Sequence, residues 1–182
     1  MRNKLFAVLL AFLVAGCAAQ RMPFPEREYA DLELRGDKTV KGTVFLVDQF
    51  EERQVGDGSE VTLEPLTSYS EQWYEVSYRQ GKTIEEPDPR YSRYVMRTEA
   101  DEEGNFSFEK VGAGEYLLTA PVYWTAVTCS AAKVDTKVMI GKKITVAEND
   151  SVVEVPLTKE YESPMVICDL YNQGDWEKED GL

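Results

Sequence analysis

The sequence predicts an all-β chain, a seven-stranded Greek-key β-sandwich carrying one aromatic-rich insertion. Three observations predict it. Short runs of period-two alternation recur between residues 40 and 158, each bounded by glycine, proline or acidic turns. No stretch sustains a long helical repeat. The densest run, Asp101 to Ala120, reads as turn, strand, turn and strand with almost no spacer. There Phe106 and Phe108 alternate with Ser107 and Glu109, and Tyr116, Leu118 and Ala120 share one face of the following strand. Gly104 serves the first turn; Gly112 and Gly114 serve the second.

Taken in order, residues 1–16 form a signal segment. Arg2 and Lys4 are its positive end, and Leu5 to Val14 is an apolar run too short for an ordinary spanning helix. Residues 17–38 carry Pro23 and Pro25 without sustained periodicity, which predicts an extended tether. The sandwich occupies residues 39–159. Its strands are expected at 40–47, 60–64, 92–98, 105–109, 115–125, 137–146 and 151–158, with a charged turn over 48–58 and a loop over 129–137. Residues 160–182 make a tail whose Met165-Val166-Ile167-Cys168 is apolar enough to dock and whose acidic end frays.

The insertion, from Thr67 to about Arg90, crowds Tyr69, Trp73, Tyr74 and Tyr78 together. Tyr74 and Tyr78 lie four apart, which predicts a short amphipathic helix over 70–79. Two readings stand side by side. The rings form a binding surface on an otherwise ordinary scaffold, or they form a lid packed on an open end of the sandwich.

The acidic Gly turn, Phe106-x-Phe108, the small-residue Gly turn and the Tyr116-led strand together resemble the signature of carboxypeptidase regulatory-like domains. These are a branch of the transthyretin-like (prealbumin-like) sandwiches. Gly42-x-Val44 and Val61-x-Leu63-x-Pro65 are similar to the opening strands of that family. The resemblance implies a fold and carries no protease chemistry, because the zinc-binding catalytic domain is not part of it. Leu13-Val14-Ala15-Gly16-Cys17 resembles a bacterial lipobox. That resemblance implies cleavage before Cys17 and acylation of Cys17, so that buried acyl chains hold the domain on a bilayer. Ala18 after the cysteine resembles the sorting pattern of outer-membrane lipoproteins.

Charge and composition restrict function further. The chain has 20 Lys plus Arg against 33 Asp plus Glu, a surface that repels nucleic acid and anionic headgroups. It has no histidine, which removes the commonest general base and metal ligand. Asp101, Glu103 and Asn105 offer alternate oxygens, but the glycine spacing and closing glutamate of a calcium loop are missing. No nucleophile elbow occurs. The expectation is therefore no enzyme, no metal and no cofactor. Tyr116, directly after a Gly turn, is expected to brace a corner through its hydroxyl. Cys129 and Cys168 are a candidate disulfide, with two separate buried thiols as the alternative. The expected function is a membrane-tethered extracytoplasmic lipoprotein whose sandwich binds an envelope protein or glycan. The alternative is a purely structural envelope lipoprotein.

Overall fold

The computed structural model describes residues 18–48, 51–127 and 133–160. Strand β1 (Arg35–Val47) sends Val40, Val44 and Leu46 to one face, all fully buried. It pairs on one edge with β5 (Asn105–Val111) and, beyond that strand, with the three-residue β2 (Arg53–Val55). Its other edge pairs in parallel with β8 (Val152–Glu160), so the first and last strands lie side by side. The second sheet runs β4 (Met96–Glu99), β3 (Glu60–Pro65), β6 (Gly114–Val127) and β7 (Lys133–Val146), all antiparallel. Phe106 and Phe108 from the first sheet meet Leu63, Leu118, Ala120 and Ile140 from the second in one core. The molecule is an all-β sandwich, as the alternation requires.

Two details of the signature stretch follow from its chemistry. Asp101 Oδ1 accepts from the backbone N–H of Glu103 and of Asn105, at 3.1 and 2.7 Å, while Gly104 takes φ 82°. The hydrogen bonds from Asn105, side chain first, hold the Asp101 carboxyl below the usual range. Those carboxylate oxygens serve a turn, and a hairpin accounts for them. The Tyr116 hydroxyl donates to the carbonyl of Gly112 at 2.9 Å and is buried, the corner brace expected of it.

Four expectations need correction. The described residues hold eight strands instead of seven, because Arg53–Val55 adds to the free edge of β1 where a plain turn was expected. Residues 92–94 are not strand: Pro89–Tyr94 is a 3-10 helix, started by Pro89 and capped by the Asp88 side chain on Arg90 N–H. The expected loop over 129–137 is strand from Lys133 onward, paired with β6. Residues 18–34 are no extended tether. They fold back over the insertion, forming helix α1 (Glu26–Ala30) with Tyr29 only 2% exposed. Cys17, Cys129 and Cys168, the signal segment and the tail from residue 161 lie outside the described residues.

Candidate functional site

Alternation on β3 and β6 sends Val61, Leu63, Leu118 and Ala120 into the sandwich, leaving Thr62, Glu64, Leu117 and Thr119 on the opposite face of the sheet. In a bare sandwich that face would be wet. Here the insertion covers it. Helix α2 (Ser68–Trp73) starts at Thr67, whose hydroxyl and backbone exchange hydrogen bonds with Ser70 in a capping box. The chain then continues without a break into a π-helix over Tyr74–Arg79. The wider winding lets residues five apart face one another. Trp73 and Tyr78 stack at 6.4 Å, and Tyr74 and Tyr78 at 5.0 Å. The Tyr78 ring lies over Gly141 in β7, 3.4 Å from where a side chain there would begin, so the helix packs closely on the sheet.

The folded-back N-terminal segment straps this lid. Ala19 bridges Ile84, Arg21 N–H donates to Glu85 Oε2 at 3.0 Å, and Met22 N–H donates to Gln72 Oε1 at 2.9 Å. Phe24 stacks on Tyr29 at 4.6 Å and meets Tyr69 edge-on at 5.5 Å, while Tyr94 closes on Tyr29 at 4.5 Å. Tyr69 was expected on the binding surface with the other three aromatics. It is instead 1% exposed, its hydroxyl accepting from Asp88 N–H at 2.8 Å, and it belongs to the interior of the lid. Trp73, Tyr74 and Tyr78 are half-buried. The lid also sits on a face of the sandwich instead of at an open end.

Between lid, strap and sheet lies a pocket of about 470 Å³. Its floor is Thr62, Glu64 and Thr119 from the strands; its walls are Trp73 and Ser77 from the helix, Tyr91, and Arg21 from the strap; its rim is residues 81–87. The Thr62 and Thr119 hydroxyls are hydrogen-bonded to each other, and Tyr91 Oη donates to Glu64 Oε2. A larger cleft of about 770 Å³ crosses the outer face of the first sheet near Lys41, Thr43 and Pro156. It is a weaker candidate, since Lys41 is already paired with Glu154 and it offers no tryptophan or tyrosine.

Glu64 is the residue that the sequence reading missed. It is 4% exposed, and burial pushes its carboxyl up to about 7, with Arg21 and then Arg97 pulling the other way. A raised carboxyl favours the folded state most below the ordinary value of 4.5 and loses that contribution as pH climbs through about 7. The loss amounts to about 3 kcal/mol. The chain has no histidine to titrate in that interval. The denaturant midpoint should therefore fall between about pH 4.5 and 7, and Glu64→Gln should flatten the fall. An unchanged slope in the variant would assign the titration to another group. Glu85 and Asp88, a conceivable carboxylate pair by composition, have separate duties. Glu85 receives the strap, and Asp88 is bound to the guanidinium and backbone of Arg90, which holds it down at about 2.

No protein-family model matches the chain, and no curated protein does. Among solved structures, the fold is similar to that of a "putative carbohydrate binding protein" from Pseudomonas aeruginosa, with a TM-score of 0.68 and 26% identity over 76% of this chain and 99% of that one. It also aligns with the major pilin subunit of Bacillus cereus, with a TM-score of 0.40 and 15% identity over 70% of this chain and 30% of that one.

Proposed function

We propose that this chain is a saccharide-binding module, a carboxypeptidase regulatory-like sandwich held on the extracytoplasmic side of a membrane by an acylated Cys17. The observation that carries the binding reading is the pocket under the lid. Sugar recognition needs a flat apolar surface for the C–H face of the ring and convergent hydrogen-bonding groups for its hydroxyls. Trp73 and Tyr91 supply the first; Thr62, Thr119, Glu64 and Arg21 supply the second. Its volume of about 470 Å³ falls within the usual range for small-molecule sites. The similarity to the Pseudomonas protein, over nearly that protein's whole length, supports the same reading. We read the pocket as non-enzymatic, and Ala18 favours the outer membrane as the anchoring site.

Calorimetric titration of the soluble domain with a panel of neutral, acidic and amino-sugar oligosaccharides tests the binding reading. At least one should bind, and Trp73→Ala should weaken it about tenfold or more. Tyr123 is 58% exposed on β6 and does not line the pocket, so Tyr123→Ala should leave the affinity unchanged. A Trp73→Ala variant that binds as tightly as the parent would reject this pocket. The anchor has its own test. Cys17→Ser should abolish metabolic lipid labelling and membrane fractionation, and a cleaved Cys17→Ser protein that still fractionates with membranes would refute acylation.

A further inference from the structure

If the pocket takes a sugar as proposed, its buried charge narrows which sugar. We infer that it selects an acidic saccharide, one bearing a carboxylate, and that the Arg21 guanidinium receives that carboxylate. The inference rests on the saccharide reading of the same pocket.

Arg21 is partly buried, whereas the other described arginines are exposed. Arg90 donates to Asp88 and Glu26, Arg97 pairs with Glu60, and Arg79 pairs with Glu75. No oxygen among the described residues accepts a hydrogen bond from the Arg21 guanidinium, and its Nε is shut off from solvent. A guanidinium has five N–H donors in a planar fork; with Nε enclosed, the donors open to a ligand are those of the two Nη nitrogens. The group is also held in place. Its guanidinium carbon lies 4.3 Å from the Tyr69 ring centroid and 5.9 Å from that of Tyr91. Its backbone is pinned to Glu85, and Gln72 clasps the residues on either side, accepting from Met22 N–H and donating to the Gln20 carbonyl. Contact with the two rings and the pinned backbone restrict the fork, which lowers the entropy that binding would otherwise cost. A planar fork matches a planar carboxylate through two parallel bonds.

Glu64 at first argues against an anionic ligand. Its burial answers the objection. A carboxyl pushed up to about 7 is increasingly neutral below that pH, and the neutral form donates a hydrogen bond where the ionised form would repel. Tyr91 occupies Oε2. Glu85 and Glu86 are exposed on the rim beside an equally exposed Lys82, where water and salt weaken them. The charges that act inside the pocket are therefore Arg21 and a carboxyl that is readily protonated.

The test uses four probes on the folded domain by calorimetry or NMR titration: methyl glucuronide, methyl glucoside, glucosamine and glucose 6-phosphate. Below about pH 6 the glucuronide should bind about tenfold tighter than the glucoside, as expected for one charge-assisted bidentate contact. Arg21→Gln should bring the two to within about twofold, and Arg21→Lys, which keeps the charge but loses the fork, should fall between. The preference should shrink as pH rises through about 7. The groups facing Glu64 are Arg21 from the strap, Arg97 from β4, Tyr91 from the 3-10 helix and Tyr29 from α1, and none of these side chains has an ordinary value in that range. Glu64→Gln should keep the preference and remove its pH dependence. Glucoside or glucosamine binding as tightly as glucuronide would overturn the acidic-sugar inference and leave the saccharide reading standing. Tighter binding of the phosphate would reassign the fork to a phosphorylated sugar and overturn the carboxylate. Failure of these probes and of every member of the oligosaccharide panel would overturn both.

Discussion

Gly42→Ala should be among the most destabilising single substitutions in the domain. Gly42 sits in the middle of β1 with β5 on one side and β8 on the other, opposite Phe106 and Val155 respectively. A Cβ there would lie 1.8 Å from the Val155 carbonyl oxygen and 2.8 Å from the tip of the Phe106 ring. Phe106 could rotate; the β8 backbone cannot move without breaking the parallel ladder that joins the first strand to the last. We expect a loss of about 4 kcal/mol or more, the range reserved for backbone clashes and ruined cores. That is a large share of the about 5–15 kcal/mol that holds a typical domain together. Equilibrium urea unfolding with circular dichroism is the measurement, and a variant within about 1 kcal/mol of the parent would show that β8 is displaceable. Adding Phe106→Ala to Gly42→Ala should not rescue it, because the decisive contact is with backbone.

Phe106→Ala and Phe108→Ala should each destabilise the domain by about 3–5 kcal/mol. Both rings are buried and pack edge to face, 6.1 Å apart, from one strand into the centre of the core. The loss combines the transfer of a large ring with a cavity that two hydrogen-bonded sheets cannot collapse to fill. The two losses should not add, since the rings touch. Changes below about 1 kcal/mol in the urea midpoint analysis would mean that the core repacks around the gap.

Period-two alternation made the sandwich legible. It needs only a wet face and a dry one, and β1, β5 and the first half of β6 have both. The brace at Tyr116 was legible because a tyrosine just after a glycine turn has a carbonyl within reach. The same alternation hid Glu64. An acidic residue between Leu63 and Pro65 reads as solvent-facing, and it does point away from the sandwich core, but a second layer covers that side. Nothing local to β3 announces the layer. Its sign was the insertion's own aromatics, read correctly as a helix over 70–79 but without the face it lies on. The strap was missed for a related reason. Phe24 and Tyr29 have no periodic partners in sequence, since their contacts are with Tyr69 and Tyr94 far along the chain. Residues 92–94 misled because Ser92 and Tyr94 alternate with Arg93 as a strand would, while the Asp88-Pro89 start signal of a helical turn outweighed the alternation.

Joined to the acylated Cys17 proposed above, the strap would also set how far the domain could travel. Ala19 N–H donates to the Thr83 carbonyl, and the Ala19 carbonyl accepts from Glu85 N–H. Were Cys17 acylated as proposed, Ala18 alone would separate the lipid from the folded body, and two Cα steps reach about 7 Å. A flexible leash over residues 17–38 would have let the domain sweep roughly 25 Å. On so short a mooring the rim at residues 83–85 would stay at the height of the headgroups, and the body would have little freedom to tumble. The protein would then survey a thin shell over its own bilayer instead of the depth of the compartment. Glycans presented at that surface would meet the pocket at high effective concentration, while those fixed farther away would stay beyond its reach.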